Sequence, residues 1–401
     1  MKKRFFSASI LLLTSFLLQS GCVPQEEESQ PSHMTTVSDN SVRINDNGTG
    51  DIENYGTVPA HVITTNTVWE DVFEDPFMVD YVVNTHVLVS SGIFTIKPGV
   101  RIQFANNKSL QVNENCNLNI VGTQVKNILL EGQIATPTWW EGINTRTSGA
   151  IIKYANISHA DIGIKASRDV SILNSTVQHC AIYGVQLLNG ASLTNFTTNT
   201  IAYCGTPMDI PMPAVNQISA STQFVGNTNN RIEVNSVDGL NQNVTFSALS
   251  IPYLMKGNNL NEFLIMKGNT INNVTCTFAP AAILEMTPGL YIQCKNGASI
   301  KAIGTPTQKV VFRSKAGTTG RWNGFVLNNN ISTDYQFDHC IFDGGGGVSG
   351  YSGMLNFVHG GSVINSQFNN SGHCGIYTAA PGSLTQYNNT FIDIPVGNIC
   401  Q

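Results

Sequence analysis

Short runs of alternating apolar and polar residues, each interrupted by asparagine or glycine, dominate this chain beyond residue 60. Examples are Val87–Val89, Ile93–Ile96, Val100–Phe104, Leu110–Val112 and Leu118–Ile120. Alternation with a period of two predicts β-strands with one side facing a core. Pro98-Gly99 and Asn106-Asn107 are turn signals between them. Strands this short and this closely spaced are compatible with a sandwich, a propeller or a solenoid.

An internal duplication favours the solenoid. The run Pro98 to Gln103 corresponds to Pro288 to Gln293, and Trp140-Glu141-Gly142-Ile143 corresponds to Trp322-Asn323-Gly324-Phe325. The order of the matches is kept while their offset drifts from 190 to 182 residues, as expected for one module present twice. Inside each copy, strands recur about every 20–25 residues, the coil period of a β-solenoid. We therefore predict an all-β fold, with one continuous solenoid of two tandem modules, residues 59–235 and 236–401.

The composition fits stacked coils and excludes other classes. Only 12% of the residues are charged and 44 of the 401 are asparagine, whereas an average domain has about 25% charged residues. Stacked like charges repel each other, but asparagines can form hydrogen-bonded ladders at turns. The net charge of -5 argues against nucleic acid as a partner, because such proteins need a basic surface.

The N-terminus reads as a targeting signal. Lys2, Lys3 and Arg4 precede an apolar stretch, residues 5–18, that is too short to cross a bilayer as a helix. The following Ser20-Gly21-Cys22 resembles the lipobox of bacterial lipoproteins, which implies cleavage of residues 1–21 and lipidation of Cys22. Residues 22–58 are polar and aperiodic, and we expect a flexible tether. Because Val23 rather than Asp follows the cysteine, the resemblance implies an exported protein anchored in the outer membrane.

Eight further cysteines stand in the body of the chain: Cys116, Cys180, Cys204, Cys276, Cys294, Cys340, Cys374 and Cys400. An even number outside the cytosol permits disulfides. None of them has the paired CxxC spacing of a zinc site, so we expect no metal. The alternative for each is a small buried core residue.

The strand and turn motifs resemble a known family. The segment Phe94 to Phe104, then Gly122-Thr123, Ile128 to Leu130 and the Trp140 motif, all repeated at residues 288–325, are similar to secreted bacterial right-handed parallel β-helix proteins of the pectate-lyase-like superfamily. The resemblance implies a right-handed parallel β-helix. It leaves activity open, because that superfamily includes lyases, polygalacturonases, epimerases, phage tailspikes and non-catalytic surface proteins.

Catalysis by a lyase of this kind requires carboxylates that converge on Ca²⁺. The densest acidic cluster holds Asp334, Asp338 and Asp343, beside Gly344. Alternation places Asp334 and Asp338 outward while Tyr335 and Phe337 point inward. The cluster is a candidate calcium or catalytic site, and the alternative is a solvated strand face. Calcium is expected only if the protein is a lyase; otherwise we expect no cofactor.

Arg168 and Asp169, with His159 and Asp161 nearby in sequence, form a second candidate, for an acid and a base; the alternative is an ordinary turn. Polygalacturonase motifs fit poorly, because a cysteine interrupts Gly372-His373-Cys374-Gly375 and the chain has no Asp-Asp pair. The sequence therefore disfavours a hydrolase.

Histidine precedes cysteine three times, at Cys180, Cys340 and Cys374. Neighbours on a strand point to opposite sides, so we expect each cysteine inside and each histidine outside rather than a chelating pair. By the same rule Trp140 packs inward and Trp139 faces out, where it could stack on a sugar. Tyr183 and Tyr377 are the other candidate residues for a carbohydrate groove.

The segment 205–215 carries three prolines, and we expect a projecting loop that binds a ligand. Because charged residues are few and scattered along the solenoid, the sequence favours a non-catalytic binding or structural module at the cell surface or in the periplasm, for glycans. The alternatives are a polysaccharide lyase or epimerase that acts on uronate-containing glycans, and a scaffold for another cell-surface protein.

Overall fold

In the part of the chain that the structure describes, successive strands do not form hairpins; each strand pairs in parallel with a strand about one coil away in sequence. The computed structural model describes residues 42–44, 61–73, 75–268, 273–328, 335–346 and 353–401. A repeating order of three strands per coil places every third strand in the same sheet, except in two coils near the middle of the chain that have only two strands. This is the predicted all-β parallel β-helix, in which inward side chains of successive coils stack and every inner strand has neighbours on both sides.

One sheet continues through the whole solenoid, and we call it the long sheet. Its 14 strands are β2 His61–Ile63, β5 Val87–Val89, β8 Ser109–Val112, β11 Gly142–Thr145, β14 Ile162–Ala166, β17 Tyr183–Leu187, β20 Thr206–Pro211, β22 Ile232–Asn235, β24 Tyr253–Lys256, β27 Ile283–Met286, β30 Val310–Ser314, β33 Cys340–Asp343, β36 Gln367–Asn369 and β39 Thr390–Ile392.

Two sheets flank the long sheet in the first half. Sheet N1 contains β1 Val42–Ile44, β4 Tyr81–Val83, β7 Arg101–Phe104, β10 Ile128–Gly132, β13 Ala155–Ser158, β16 Thr176–Gln178, β19 Thr200–Ala202 and β21 Gln223–Val225. Sheet N2 contains β3 Thr67–Trp69, β6 Ile93–Ile96, β9 Asn117–Val121, β12 Ala150–Lys153, β15 Val170–Leu173 and β18 Leu193–Thr197.

Two other sheets take their place in the second half. Sheet C1 contains β23 Val244–Phe246, β26 Val274–Phe278, β29 Ala298–Ile303, β32 Tyr335–Asp338, β35 Gly361–Ile364 and β38 Leu384–Tyr387. Sheet C2 contains β25 Glu262–Met266, β28 Tyr291–Lys295, β31 Gly324–Asn328, β34 Gly353–Phe357, β37 Cys374–Thr378 and β40 Gly397–Cys400.

The core consists of inward ladders of apolar side chains. On the long sheet, the inward position of successive strands is aliphatic in the first half and aromatic over the last four strands, where Phe312, Phe342, Phe368 and Phe391 pair by register. Their rings stack nearly parallel, with centroids 4.8 to 5.2 Å apart. That separation matches the spacing of neighbouring strands, about 4.8 Å, so the backbone ladder itself sets the ring contacts.

The two tryptophan motifs of the duplication adopt the same local structure. Trp140 and Trp322 are fully buried, and their indole N–H groups donate to the backbone oxygens of Ser158 and Asp343 respectively. Gly142 and Gly324 both have a positive φ, and a Cβ on either would collide with the backbone of the next coil. The motif therefore serves packing and turn geometry.

The prediction of a projecting loop at residues 205–215 is wrong. Thr206–Pro211 is strand β20, buried throughout, and Met212–Gln217 is a 3₁₀ helix whose Met212 and Val215 are buried. Two prolines are tolerated in this strand. Pro207 lies between Thr206 and Met208, which pair with β17, and is not itself paired. Pro211 is the last residue of the strand. The helix stands where other coils of the first half have a strand of sheet N2.

Candidate functional site

The outer face of the long sheet carries a column of polar side chains. Its members occupy matching positions on six successive strands of that sheet, β8 to β22: Gln111, Asn144, Lys165, Gln186, Asp209 and Glu233. We call this set the polar column. At about 4.8 Å per strand it extends about 24 Å along the sheet. The same position continues through Leu254 and Glu285 to Arg313 and Asp343.

One end of the polar column is a compact hydrogen-bonded network. The Lys256 ammonium lies 2.8 Å from Glu233 Oε2 and 3.3 Å from Asp209 Oδ1. The Tyr183 hydroxyl donates to the same Glu233 oxygen at 3.0 Å, and Asn235 Nδ2 donates to Asp209 Oδ1 at 2.7 Å. The network joins four strands of the long sheet, and Lys256 remains 34% exposed. The network therefore holds its charged groups in order and leaves the Lys256 side chain partly open to a ligand.

The pKa shifts of Tyr183 and Lys256 keep both of these groups protonated at neutral pH. Burial, and then the Asp209 and Glu233 carboxylates, raise the pKa of Tyr183 to about 12. Burial alone would lower the pKa of Lys256, but the same two carboxylates outweigh it and raise that pKa to about 12. At neutral pH the phenol is therefore a neutral donor and the ammonium a permanent cation. Neither group is poised to abstract a proton.

A second charged group lies further along the same face. The Glu285 side chain is only 2% exposed and accepts from Arg231 at 3.0 Å and from Arg313 at 2.8 Å. A buried carboxylate needs such partners, because an unpaired charge away from water is strongly unfavourable. This triad holds three coils together.

The two described members of the predicted acidic cluster, Asp338 and Asp343, lie on different sheets. Asp334 lies outside the described residues. Asp338 ends a strand of sheet C1 and Asp343 a strand of the long sheet, because the chain turns at His339, whose φ is +50°. Each carboxylate accepts from an asparagine amide, Asn365 and Asn370 respectively. Among the described residues, no three carboxylates converge as a metal-binding group.

The second predicted cluster is also divided. Arg168 and Asp169 follow β14, whereas His159 and Asp161 precede it, so the strand separates the two pairs. Arg168 faces Glu114 at 3.7 Å, and Asp169 accepts from the Ser192 hydroxyl. These contacts fit stacked turns.

The three aromatic candidates do not share a groove. Trp139 is half-buried, with its indole N–H bonded to the Phe104 carbonyl and its ring lying over Gly132. Tyr183 lies on the long sheet and Tyr377 on sheet C2. In module 1, strand β8 of the long sheet stands between β7 and β9. In module 2, the matching strands β28 and β29 follow each other directly, with no strand between them. Matching residues of the two copies consequently lie on different faces.

The histidine–cysteine dipeptides behave as predicted at two of the three positions. Cys180 and Cys340 are buried inside the coils. At the third, Cys374 forms a disulfide with Cys400, and His373 Nδ1 lies 3.1 Å from the Cys374 sulfur. Cys374 is buried as expected, but the contact between its sulfur and the His373 ring contradicts the expectation that the two side chains point apart. Cys22 lies outside the described residues.

Sequence reasoning missed the network of Asp209, Glu233 and Lys256. These residues are separated by more than twenty positions, and only the coil register brings them together. The expectation that charged residues are scattered is wrong for this face. Strand alternation places Glu233 and Lys256 outward, but Asp209 stands in a proline-rich segment that reads as a loop. The register of coils of unequal length cannot be read from alternation alone.

No family model matches this chain, and no curated protein and no solved structure gives a significant match. The fold assignment therefore rests on the strand order and register described above. In the part of the chain that the structure describes, we find no helix with the length and apolar character needed to span a bilayer.

Proposed function

We propose that this protein is a non-catalytic glycan-binding module and that the polar column is its ligand surface. The observation that carries the proposal is the unbroken series of amide, ammonium and carboxylate groups on consecutive coils. Sugars are recognised through hydroxyl groups that bond to such planar polar side chains. A parallel β-helix supplies them at a regular spacing on a rigid face, which reduces the ordering cost of binding.

The protonation states support binding over catalysis. A lyase or an epimerase must abstract a proton from the carbon next to a carboxylate, and its base must be unprotonated at working pH. Lys256 is held protonated and Tyr183 is held neutral by their neighbours. The carboxylates of Asp209 and Glu233 are both paired with Lys256.

A matched pair of double variants tests the proposal. Lys165→Ala with Gln186→Ala removes two register neighbours of the polar column. Lys301→Ala with Gln336→Ala removes the same two residue types at register neighbours on sheet C1. We expect the first variant to lose retention on a panel of neutral and uronate-containing polysaccharides, and the second to keep it. Equal retention by both variants would exclude the polar column as the ligand surface.

A polysaccharide lyase or epimerase is the second candidate, because Tyr183, Asp209, Glu233 and Lys256 converge on adjacent coils. The same panel, incubated with and without Ca²⁺, distinguishes it. A lyase releases an unsaturated uronate that absorbs in the ultraviolet, and the signal should disappear in Tyr183→Phe and Lys256→Met. Retention of glycan without product supports the binding module.

We further propose that the protein is exported and held at the outer membrane by a lipid on Cys22. The support is the signal-like sequence of residues 1–21 and the polar segment that follows. Metabolic labelling with palmitate should mark the wild-type protein and not Cys22→Ser. Labelling that survives the substitution would refute the anchor.

A further inference from the structure

A cleft of about 410 Å³ opens at the turns that join the long sheet to sheet N2, and its walls come from three consecutive coils. The turn after β8 contributes Glu114 and Asn115, the turn after β11 contributes Arg146 and Ser148, and the turn after β14 contributes Arg168. These turns stack in register, because the Arg146 N–H donates to Val112 O and the Ser167 N–H to Thr145 O.

Arg146 and Arg168 are the two cationic side chains that line this cleft. They line the cleft from neighbouring coils, and Arg168 stands one position beyond Ser167, the residue that aligns with Arg146. Arg146 has no ion pair with any residue that the structure describes, and Arg168 is 53% exposed. Two forked guanidinium groups that line one cleft suit an oxyanion, since each can donate two parallel N–H groups to its oxygens.

The Glu114 side chain lines the same cleft and lies beside Arg168. Its carboxylate reaches Arg168 across the intervening coil at 3.7 Å and is itself 63% exposed. An exposed pair at that distance is weakly held, so a ligand oxyanion bound by both arginines can displace it. The base of the cleft is fixed, because the Thr147 hydroxyl bonds to the buried Cys116 carbonyl.

We propose that this cleft is an anion subsite, in which Arg146 and Arg168 bind a carboxylate or sulfate group carried by the glycan. The inference rests on the proposed glycan-binding function and assigns its ligand to the acidic polysaccharides. Glu114 acts as a built-in competitor that keeps the affinity for isolated anions low.

Three dextrans with one backbone provide the probes: neutral dextran, carboxymethyl dextran and dextran sulfate, compared by affinity electrophoresis of the purified protein. We expect Arg146→Gln with Arg168→Gln to weaken binding of at least one charged dextran about tenfold and to leave neutral dextran unchanged. Glu114→Gln should strengthen the same binding about threefold. Carboxymethyl dextran and dextran sulfate distinguish a carboxylate ligand from a sulfate.

A control variant, Lys309→Gln with Lys315→Gln, removes the same amount of charge elsewhere. Equal weakening by the control would show non-specific attraction and overturn the subsite. Charged-dextran binding that is unchanged in the double arginine variant would overturn it as well. If the glycan panel is retained through the polar column while the arginine variant has no effect, the subsite alone fails. If charged dextrans bind through the arginines but no panel glycan is retained, the subsite stands and the proposed glycan function fails.

Discussion

The Glu285 triad provides the sharpest test of how this solenoid is held together. Substitution of Glu285 by Gln keeps the size of the side chain but removes its charge. The carboxylate accepts three hydrogen bonds, one from Arg231 at 3.0 Å and two from Arg313 at 2.8 and 3.2 Å. The amide keeps only one acceptor oxygen and turns an NH₂ group towards a donor. It leaves two guanidinium groups without their counter-ion.

The expected cost follows from the exposure of each partner. Removing one partner of a buried ion pair costs about 3–5 kcal/mol. Arg313 is 39% exposed and can turn towards water, whereas Arg231 is 17% exposed and its Nε already lacks a hydrogen-bond partner among the described residues. We therefore expect a loss at the lower end, about 3 kcal/mol of unfolding free energy.

Urea unfolding followed by circular dichroism measures this loss, with Glu114→Gln as the control. Glu114 pairs with Arg168 at 3.7 Å, and the two side chains are 63% and 53% exposed, so its loss should cost less than about 1 kcal/mol. Replacement of the whole triad by Met, Leu and Met at positions 231, 285 and 313 should recover most of the stability, because the buried charges disappear together. A cost below about 1 kcal/mol for Glu285→Gln would refute this reasoning.

Three further predictions concern turns, the disulfide and pH. Gly142→Ala should lower the free energy of unfolding in urea by at least about 3 kcal/mol, because the new Cβ would meet the Ile162 carbonyl. Gly149→Ala has open space around it and should cost only about 1–2 kcal/mol, for its backbone conformation alone. Equal costs for the two variants would contradict the crowding argument. Replacing both Cys374 and Cys400 by Ser opens a link across 26 residues and should cost about 3.5 kcal/mol in the same assay; an unchanged midpoint would contradict it. Burial lowers the pKa of His159 below 6.5, so its contribution to stability is present above that pH and lost as the pH falls through the lowered pKa. His159→Asn tolerates the same left-handed backbone and should flatten the fall of the urea midpoint from pH 7 to about pH 5, and an unchanged slope would contradict this.

The parallel β-helix fold was predictable from local patterns in the sequence. Runs such as Val100–Phe104 alternate strictly, and their turns carry residues that accept a positive φ, among them Asn107 and Gly99. The duplicated Trp140 motif also identified a buried anchor correctly. Each of these features depends on neighbours in sequence, which is the information that a single chain contains.

The candidate site was less predictable because it depends on contacts between coils. Asp209 stands in a proline-rich segment that reads as a loop, yet ladder pairing on both sides of β20 outweighs the missing proline N–H groups. Asp338 and Asp343 are close in sequence, but the turn at His339 places them on different sheets. Coils of unequal length hide such relationships from any reading of the sequence alone.

The disulfide near the C-terminus has a mechanical consequence. In a solenoid, each coil is held only by its neighbours, so a force applied at the ends should peel coils away one after another. Tension applied at Gln401 passes from Cys400 through the sulfur bridge to Cys374 and bypasses residues 375–399. The first strand to bear load is then β37 rather than β40. Residues 375–399 then add no length when their coil comes loose, which would appear as a missing step in a single-molecule pulling trace and reappear on reduction.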